Sequence, residues 1–284
     1  MPPPSPFRPA LLVIDMQNDF CLGDGDTIPD GALAVQGGRD IIPVINDLLS
    51  KPAFVYRVAT RDWHPRGHVS FAENHGGKRA FVDEVEVVHP DDAGVVHPDD
   101  QEKDGGKTRR AYTTRLWPTH CVQGTWGAQL VDAPVVNGVK GLDTAKVDLI
   151  LDKGTDARVE MYSAFYDPLR VEDSGLARRL REVRAEGGSE EAGEGEEAGN
   201  GEGGEANGEK GITHVYVVGL AYDYCVRATA LDARAEGFEV VLVRDATRAV
   251  DLSPEKLEAL EEELEGKGVK VRGVGDEEVR GWLG

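Results

Sequence analysis

HVYVVGLAYDYCVRATALDARAEGFEVVLV, residues 214–243, sets the fold. His214–Gly219 is a short apolar run that ends on glycine, as a strand buried on both faces does. Tyr224–Ala235 has helical spacing and is rich in Ala and Arg. Glu239–Val243 is a second apolar run. A strand, a helix and a strand in that order imply a crossover between parallel strands.

The same alternation extends outward. Further strand signals lie at Ala10–Ile14, Ala53–Ala59 and Val147–Leu151, with a weaker one at Val269–Val274. Helical spacing fits Ile41–Leu49, Leu176–Arg184 and Pro254–Leu264, the last opened by Ser253 as N-cap and Pro254 at the first helical position. The expected fold is α/β: a three-layer α/β/α, Rossmann-like single domain with a mainly parallel sheet, over residues 10–284. Residues 1–9 form a Pro-rich tail. Residues 83–110, broken by prolines and glycines, read as an irregular insertion. Within it Val87–Asp92 recurs as Val95–Asp100, a tandem duplication too short to stack into a solenoid.

The chain has 284 residues and a formal charge of −20. A surface this acidic repels phosphate backbones and anionic lipid, so neither nucleic acid nor membrane is an expected partner. Residues 186–210 hold nine Glu, nine Gly and one Lys, with no aromatic or branched apolar side chain. Such a segment cannot offset its ordering entropy and reads as a disordered loop. Three cysteines, Cys21, Cys121 and Cys225, are an odd number for a disulfide framework and suit free thiols in a reducing compartment. Cytoplasm is the default location, with nucleus or peroxisome as alternatives. The N-terminal MPPPSPFRP has no apolar core of the signal-peptide kind. Oligomeric state is open.

Ligands of parallel α/β sheets bind beyond the carboxyl ends of the strands. The polar residues that follow the apolar runs are Asp15, the pair Asp62 and His64, Lys153, Cys225 and Asp245. Singly, Asp15 reads as a loop cap and Lys153 as an exposed strand end. Cys225 is more telling, because a thiol where a loop turns into a helix meets the helix dipole and free N–H groups, which favour thiolate. Together an acid, a base and a thiol on one rim point to covalent catalysis.

A second set suits a metal. Asp62 and His64, two apart, share one side of an extended segment, and His120 follows the rigid Trp117-Pro118. One carboxylate and two imidazoles fit Zn2+, or Fe2+ or Mn2+, with positions left open. His68, His75, His89, His97 and His214 read as hydrogen-bonded surface residues, and Cys121 as a buried bystander.

Five stretches carry a resemblance: LLVIDMQNDFCLGDG (11–25), TRDWHPRGHVSFAENH (60–75), LWPTHCVQGTWGAQL (116–130), DKGTDARVEMYSAFYD (152–167) and VVGLAYDYCVRATALDARAEGF (217–238). In this order they resemble the nicotinamidases of the isochorismatase-like cysteine hydrolase superfamily. The two loops depart from the family pattern without interrupting a motif, and suggest a eukaryotic, fungal member. The resemblance implies Asp15, Lys153 and Cys225 as catalytic triad and Asp62, His64 and His120 as metal ligands. It implies Phe20, Trp117 and Tyr162 around a pyridine ring. The amides of Ala221 and Cys225 would form the oxyanion hole, beside a cis Leu220-Ala221 peptide. His68 matches a position that is a ligand in only some members.

The activity so implied is hydrolysis of nicotinamide to nicotinic acid and ammonia through a cysteine thioester, a step of NAD salvage. A related amidase acting on a ureido or carbamoyl compound is the nearest alternative, and the Asp62, His64 and His120 set argues against it. A non-catalytic metal- or partner-binding protein is the other, and the intact triad argues against that.

Overall fold

A computed structural model describes residues 2–93, 109–132, 136, 138–183 and 211–284. Its centre is a six-stranded parallel sheet built from β1 (Pro9–Ile14), β2 (Tyr56–Asp62), β5 (Leu149–Lys153), β6 (His214–Leu220), β7 (Glu239–Arg248) and β8 (Val269–Arg272). The spatial order is β5-β2-β1-β6-β7-β8. From β1 the chain steps outward through β2 to β5, then returns to β6 on the other side of β1 and continues to β8. The order therefore reverses between β1 and β6, which pair from Pro9 with His214 to Ile14 with Gly219. A crevice opens at such a reversal, beyond the carboxyl ends of the two strands.

Strand alternation divides the core between the two faces. Leu11 and Val13 of β1, Tyr216 and Val218 of β6 and Val241 and Val243 of β7 pack on one side against α1 (Ile42–Leu49) through Ile42, Ile45, Leu48 and Leu49. Ala10, Leu12, Ile14, Val215, Val217, Val240 and Leu242 face the other side. There they meet α2 (Leu176–Glu182) through Leu176 and Leu180, α3 (Arg227–Ala235) through Ala230 and Ala233, and α4 (Pro254–Gly266) through Leu260 and Leu264. These are the three layers expected, with every pairing in the six-stranded sheet parallel.

Several boundaries differ from the sequence reading, and each has a physical reason. Ala53, Phe54 and Val55 precede β2: Phe54 is apolar because it is buried against Tyr216, not because it is in a strand. The helix expected from Tyr224 opens instead with a wider π-type turn, Tyr222–Val226, and α3 proper starts at Arg227. Residues 83–110 are not irregular throughout: β3 (Glu84–Val88) pairs antiparallel with β4 (Ala111–Arg115) as a separate ribbon. The second copy of the duplication and residues 186–210 lie outside the described residues. At the N-terminal end Phe7 packs edge-on to His214 and Trp282, and the Arg8 guanidinium donates to the carbonyls of Gly211 and Val183. No helix among the described residues is long and apolar enough to cross a membrane.

Candidate active site

Beyond the carboxyl ends of β1, β2, β5 and β6 the rim residues converge. Lys153, the last residue of β5, is fully buried. Its Nζ lies 3.0 Å from Asp15 Oδ2 and 3.5 Å from Cys225 Sγ, and it also pairs with Asp62 Oδ1. Asp15 follows β1 with φ at +47°, a conformation an L residue adopts only under constraint. That constraint comes from Thr60 of β2, whose hydroxyl accepts the Asp15 N–H at 3.1 Å and donates to Asp15 Oδ1 at 2.6 Å. Asp245 does not join this rim. It lies within β7, which is longer than its apolar run, and its carboxylate accepts the Val274 N–H.

Asp62 joins two clusters. While Oδ1 faces Lys153, Oδ2 lies 3.6 Å from His64 Nε2 and 4.0 Å from His120 Nε2. Gln17 fixes the Asp62 backbone from β1's side, donating to its carbonyl and accepting its N–H, each at 2.8 Å. Three imidazoles are oriented alike. His64 Nδ1 meets the Gly154 carbonyl at 2.8 Å, His120 Nδ1 the Pro118 carbonyl at 2.7 Å, and His68 Nδ1 the Ser70 hydroxyl at 2.8 Å. With Nδ1 occupied, each ring turns Nε2 inward. Those of His64 and His68 are buried without a hydrogen-bond partner among the described residues. Gly154 is required here: its φ is +64°, and a Cβ would sit 2.5 Å from His64 Cε1.

These orphaned nitrogens and the Asp62 oxygen are a donor set that fits a divalent metal. The ligand atoms of Asp62, His64 and His120 lie within 4.8 Å of one another, as do those of His64, His68 and Glu160. His68 is thus a buried residue stacked on His64 with ring centroids 4.0 Å apart, not the surface residue expected. His214 is also buried, against Phe7 and Trp282. Cys121 contributes its backbone, the carbonyl accepting the His64 N–H.

Burial and charge set the proton affinities. Burial raises the Asp15 carboxyl to about 6, against the pull of Lys153. It works the same way on Asp62, but Lys153 and then His64 hold that carboxyl well below the usual range. Lys153, which burial alone would discharge, is kept cationic by Asp15 and Asp62. Burial pushes the Cys225 thiol well up, and Lys153 offsets only part of this. Against the expectation from the helix start, burial therefore disfavours the Cys225 thiolate. Burial likewise lifts Cys21 to about 12 and the Glu160 carboxyl to about 7, and lowers His120 to about 4, helped by His64.

Above the thiol lies a tight pocket, with a cavity volume of about 30 Å³. Phe20, Trp117, Tyr162, Ala221, Asp62, His120 and Cys225 all line it. Trp117 Nε1 donates to Tyr162 Oη at 2.9 Å, and Thr114 of β4 is 3.1 Å from the same oxygen. The Leu220-Ala221 peptide is cis. Sequence reasoning missed Thr60, Gln17, Glu160 and Tyr224. Only Tyr224 left a usable signal, as an aromatic residue beside the proposed nucleophile.

Comparison with known proteins agrees with this architecture. The Isochorismatase domain model matches residues 9–139 and 205–272. The nicotinamidase of Acinetobacter baylyi is 34% identical over 255 residues, covering 90% of this chain and 88% of that protein. The structure of the yeast nicotinamidase bound to the inhibitor nicotinaldehyde superimposes with a TM-score of 0.65 at 29% identity, covering 93% of this chain and 99% of that one. The pyrazinamidase of Pyrococcus horikoshii in complex with zinc does so with a TM-score of 0.57 at 32% identity, covering 94% and 99%. The chain belongs to the isochorismatase-domain family and, within it, to the nicotinamidases.

Proposed function

We propose that this chain hydrolyses nicotinamide to nicotinic acid and ammonia with Cys225 as nucleophile, as a cytoplasmic enzyme of NAD salvage without nucleic-acid or membrane partners. The observation that carries the reading is Lys153 Nζ, held between Asp15 and Asp62 and 3.5 Å from Cys225 Sγ at the floor of an aromatic pocket. With a carboxyl at about 6, Asp15 is ionised near neutral pH and can take the proton of the Cys225 thiol. The sulfur attacks the amide carbon, and the backbone amides of Ala221 and Cys225 receive the developing oxyanion, an interaction worth roughly 3–4 kcal/mol per donor. Asp15 returns the proton to the departing ammonia. Water, deprotonated by Asp15, then attacks the thioester carbon, and the C–S bond breaks to give the carboxylate and regenerate the thiol. Lys153 keeps Asp15 in place and offsets the charge on sulfur as it forms.

Phe20, Trp117 and Tyr162 enclose the ring. Asp62, His64 and His120 would hold the metal, with His68 and Glu160 close behind. Two imidazoles and a carboxylate suit Zn2+, and Fe2+ or Mn2+ take the same donors. When bound, the ion supplies a Lewis acid for the pyridine end of the substrate. Ammonia release from nicotinamide by the purified, metal-loaded protein tests the reading. Release from a carbamoyl or ureido compound instead, with none from nicotinamide, would overturn it.

A further inference from the structure

We infer that Arg115 is a positioning residue that ties Tyr224 down as a wall of the ring pocket. This deepens the pyridine-amide reading and rests on it for its kinetic test. Tyr224 precedes Cys225 in the π-type turn. Its ring stands edge-on to Trp117, centroids 4.9 Å apart, and tilted against Tyr162 at 5.5 Å. It lines two spaces at once. One is the inner pocket above Cys225, and the other is an open outer groove that also contains Arg115 and Lys256. Tyr224 and Val250 are common to both, so the phenol ring forms part of the partition between them.

Rotation about its two side-chain torsions would swing that ring outward and widen the pocket. One hydrogen bond opposes this: Arg115 Nη1 donates to Tyr224 Oη at 3.0 Å. Arg115 ends β4, and its guanidinium also lies 5.9 Å from the Trp117 ring centroid. Among the described residues it makes no ion pair, so its polar and ring contacts both go to pocket aromatics. Thr114, on the opposite face of the same strand, reaches Tyr162. The β3–β4 ribbon therefore braces two walls of the pocket from outside the main sheet. Arg115 has no contact with Asp15, Lys153 or Cys225, so its effect falls on ring binding and not on bond breaking.

The test is a double-mutant cycle on the metal-loaded enzyme. Arg115→Ala and Tyr224→Phe should each raise KM for nicotinamide about fivefold, with kcat within about twofold of wild type. The double variant should be no worse than either single one, and Arg115→Lys should recover part of the loss. Multiplying effects, an unchanged KM, or a parallel fall in kcat would overturn the inference. A chain labelled with 3-fluorotyrosine gives a readout independent of turnover. The Tyr224 resonance, assigned with Tyr224→Phe, should shift in Arg115→Ala; an unmoved resonance also overturns the tether. A wild-type enzyme inactive on nicotinamide would strike the substrate reading alone, and the fluorine spectrum would still decide about Arg115.

Discussion

Burial acts in opposite senses on the two partners of the proposed proton transfer. It makes the Cys225 thiol harder to ionise and Asp15 a stronger base than an exposed carboxylate. The sulfur should therefore react as part of the pair and not alone. Cys225→Ala should lower turnover by at least roughly a thousandfold while leaving the melting temperature close to wild type, since the side chain sits in a turn that alanine tolerates. Residual activity above a few per cent of wild type would remove Cys225 as nucleophile. The pH profile follows from the sign of the Asp15 shift. A carboxyl raised to about 6 is protonated below that pH and ionised above it, and base work needs the ionised form. The value of kcat/KM should climb about tenfold per pH unit below 6 and level off above. Asp15→Asn should abolish that limb, and an acid limb that persists in the variant would assign it to another group.

Among the elements, the strand ends set the site and the connections carry the variation. Gly154→Ala forces a Cβ against the His64 ring at a left-handed backbone position. It should weaken metal retention at least tenfold in a competition with a chelator, with the sheet unaffected by circular dichroism. Val183 and Gly211 bracket residues 184–210: the Gly211 N–H donates to the Val183 carbonyl at 2.9 Å, so the two ends of that stretch lie together. Deleting 187–209 should shift the melting temperature by less than about 2 °C and leave turnover unchanged, because closure entropy varies only with the logarithm of loop length. A larger loss would mean that the segment packs on the body of the protein. The strand-ending residues Asp15, Asp62 and Lys153 were legible in sequence because an apolar run points to its own carboxyl end. Thr60 and Gln17 were not, since an inward-facing polar residue leaves no trace in periodicity. The β3–β4 ribbon was hidden because its alternating, half-exposed residues look like loop. His68 was misjudged because burial of a loop histidine depends on what folds over it.

At the scale of the whole molecule, the proposed metal donors and the proposed nucleophile share one buried charge cluster. Asp15 and Asp62 share Lys153, and Asp62 also lies beside His64 and His120. A divalent ion held there by the folded chain alone would add positive charge beside Asp62 and stabilise the fold. Chelation should lower the melting temperature by about 5–10 °C and raise KM for nicotinamide. Alkylation of Cys225 by small reagents should survive, since Lys153 still holds both carboxylates. Loss of alkylation would mean that the ion organises the nucleophile itself. The reversal of strand order between β1 and β6 also has a consequence in time. Ala10 is made near the start of synthesis, but its partner Val215 emerges near the end. At ribosomal rates that delay is on the order of 10–40 s. Throughout it the most apolar strand of the sheet has one side unpaired, and the crevice between Asp15 and Cys225 does not yet exist. The nascent chain is thus inactive and prone to sticking until its last third is translated, which makes this interval the stage at which a holding chaperone matters most.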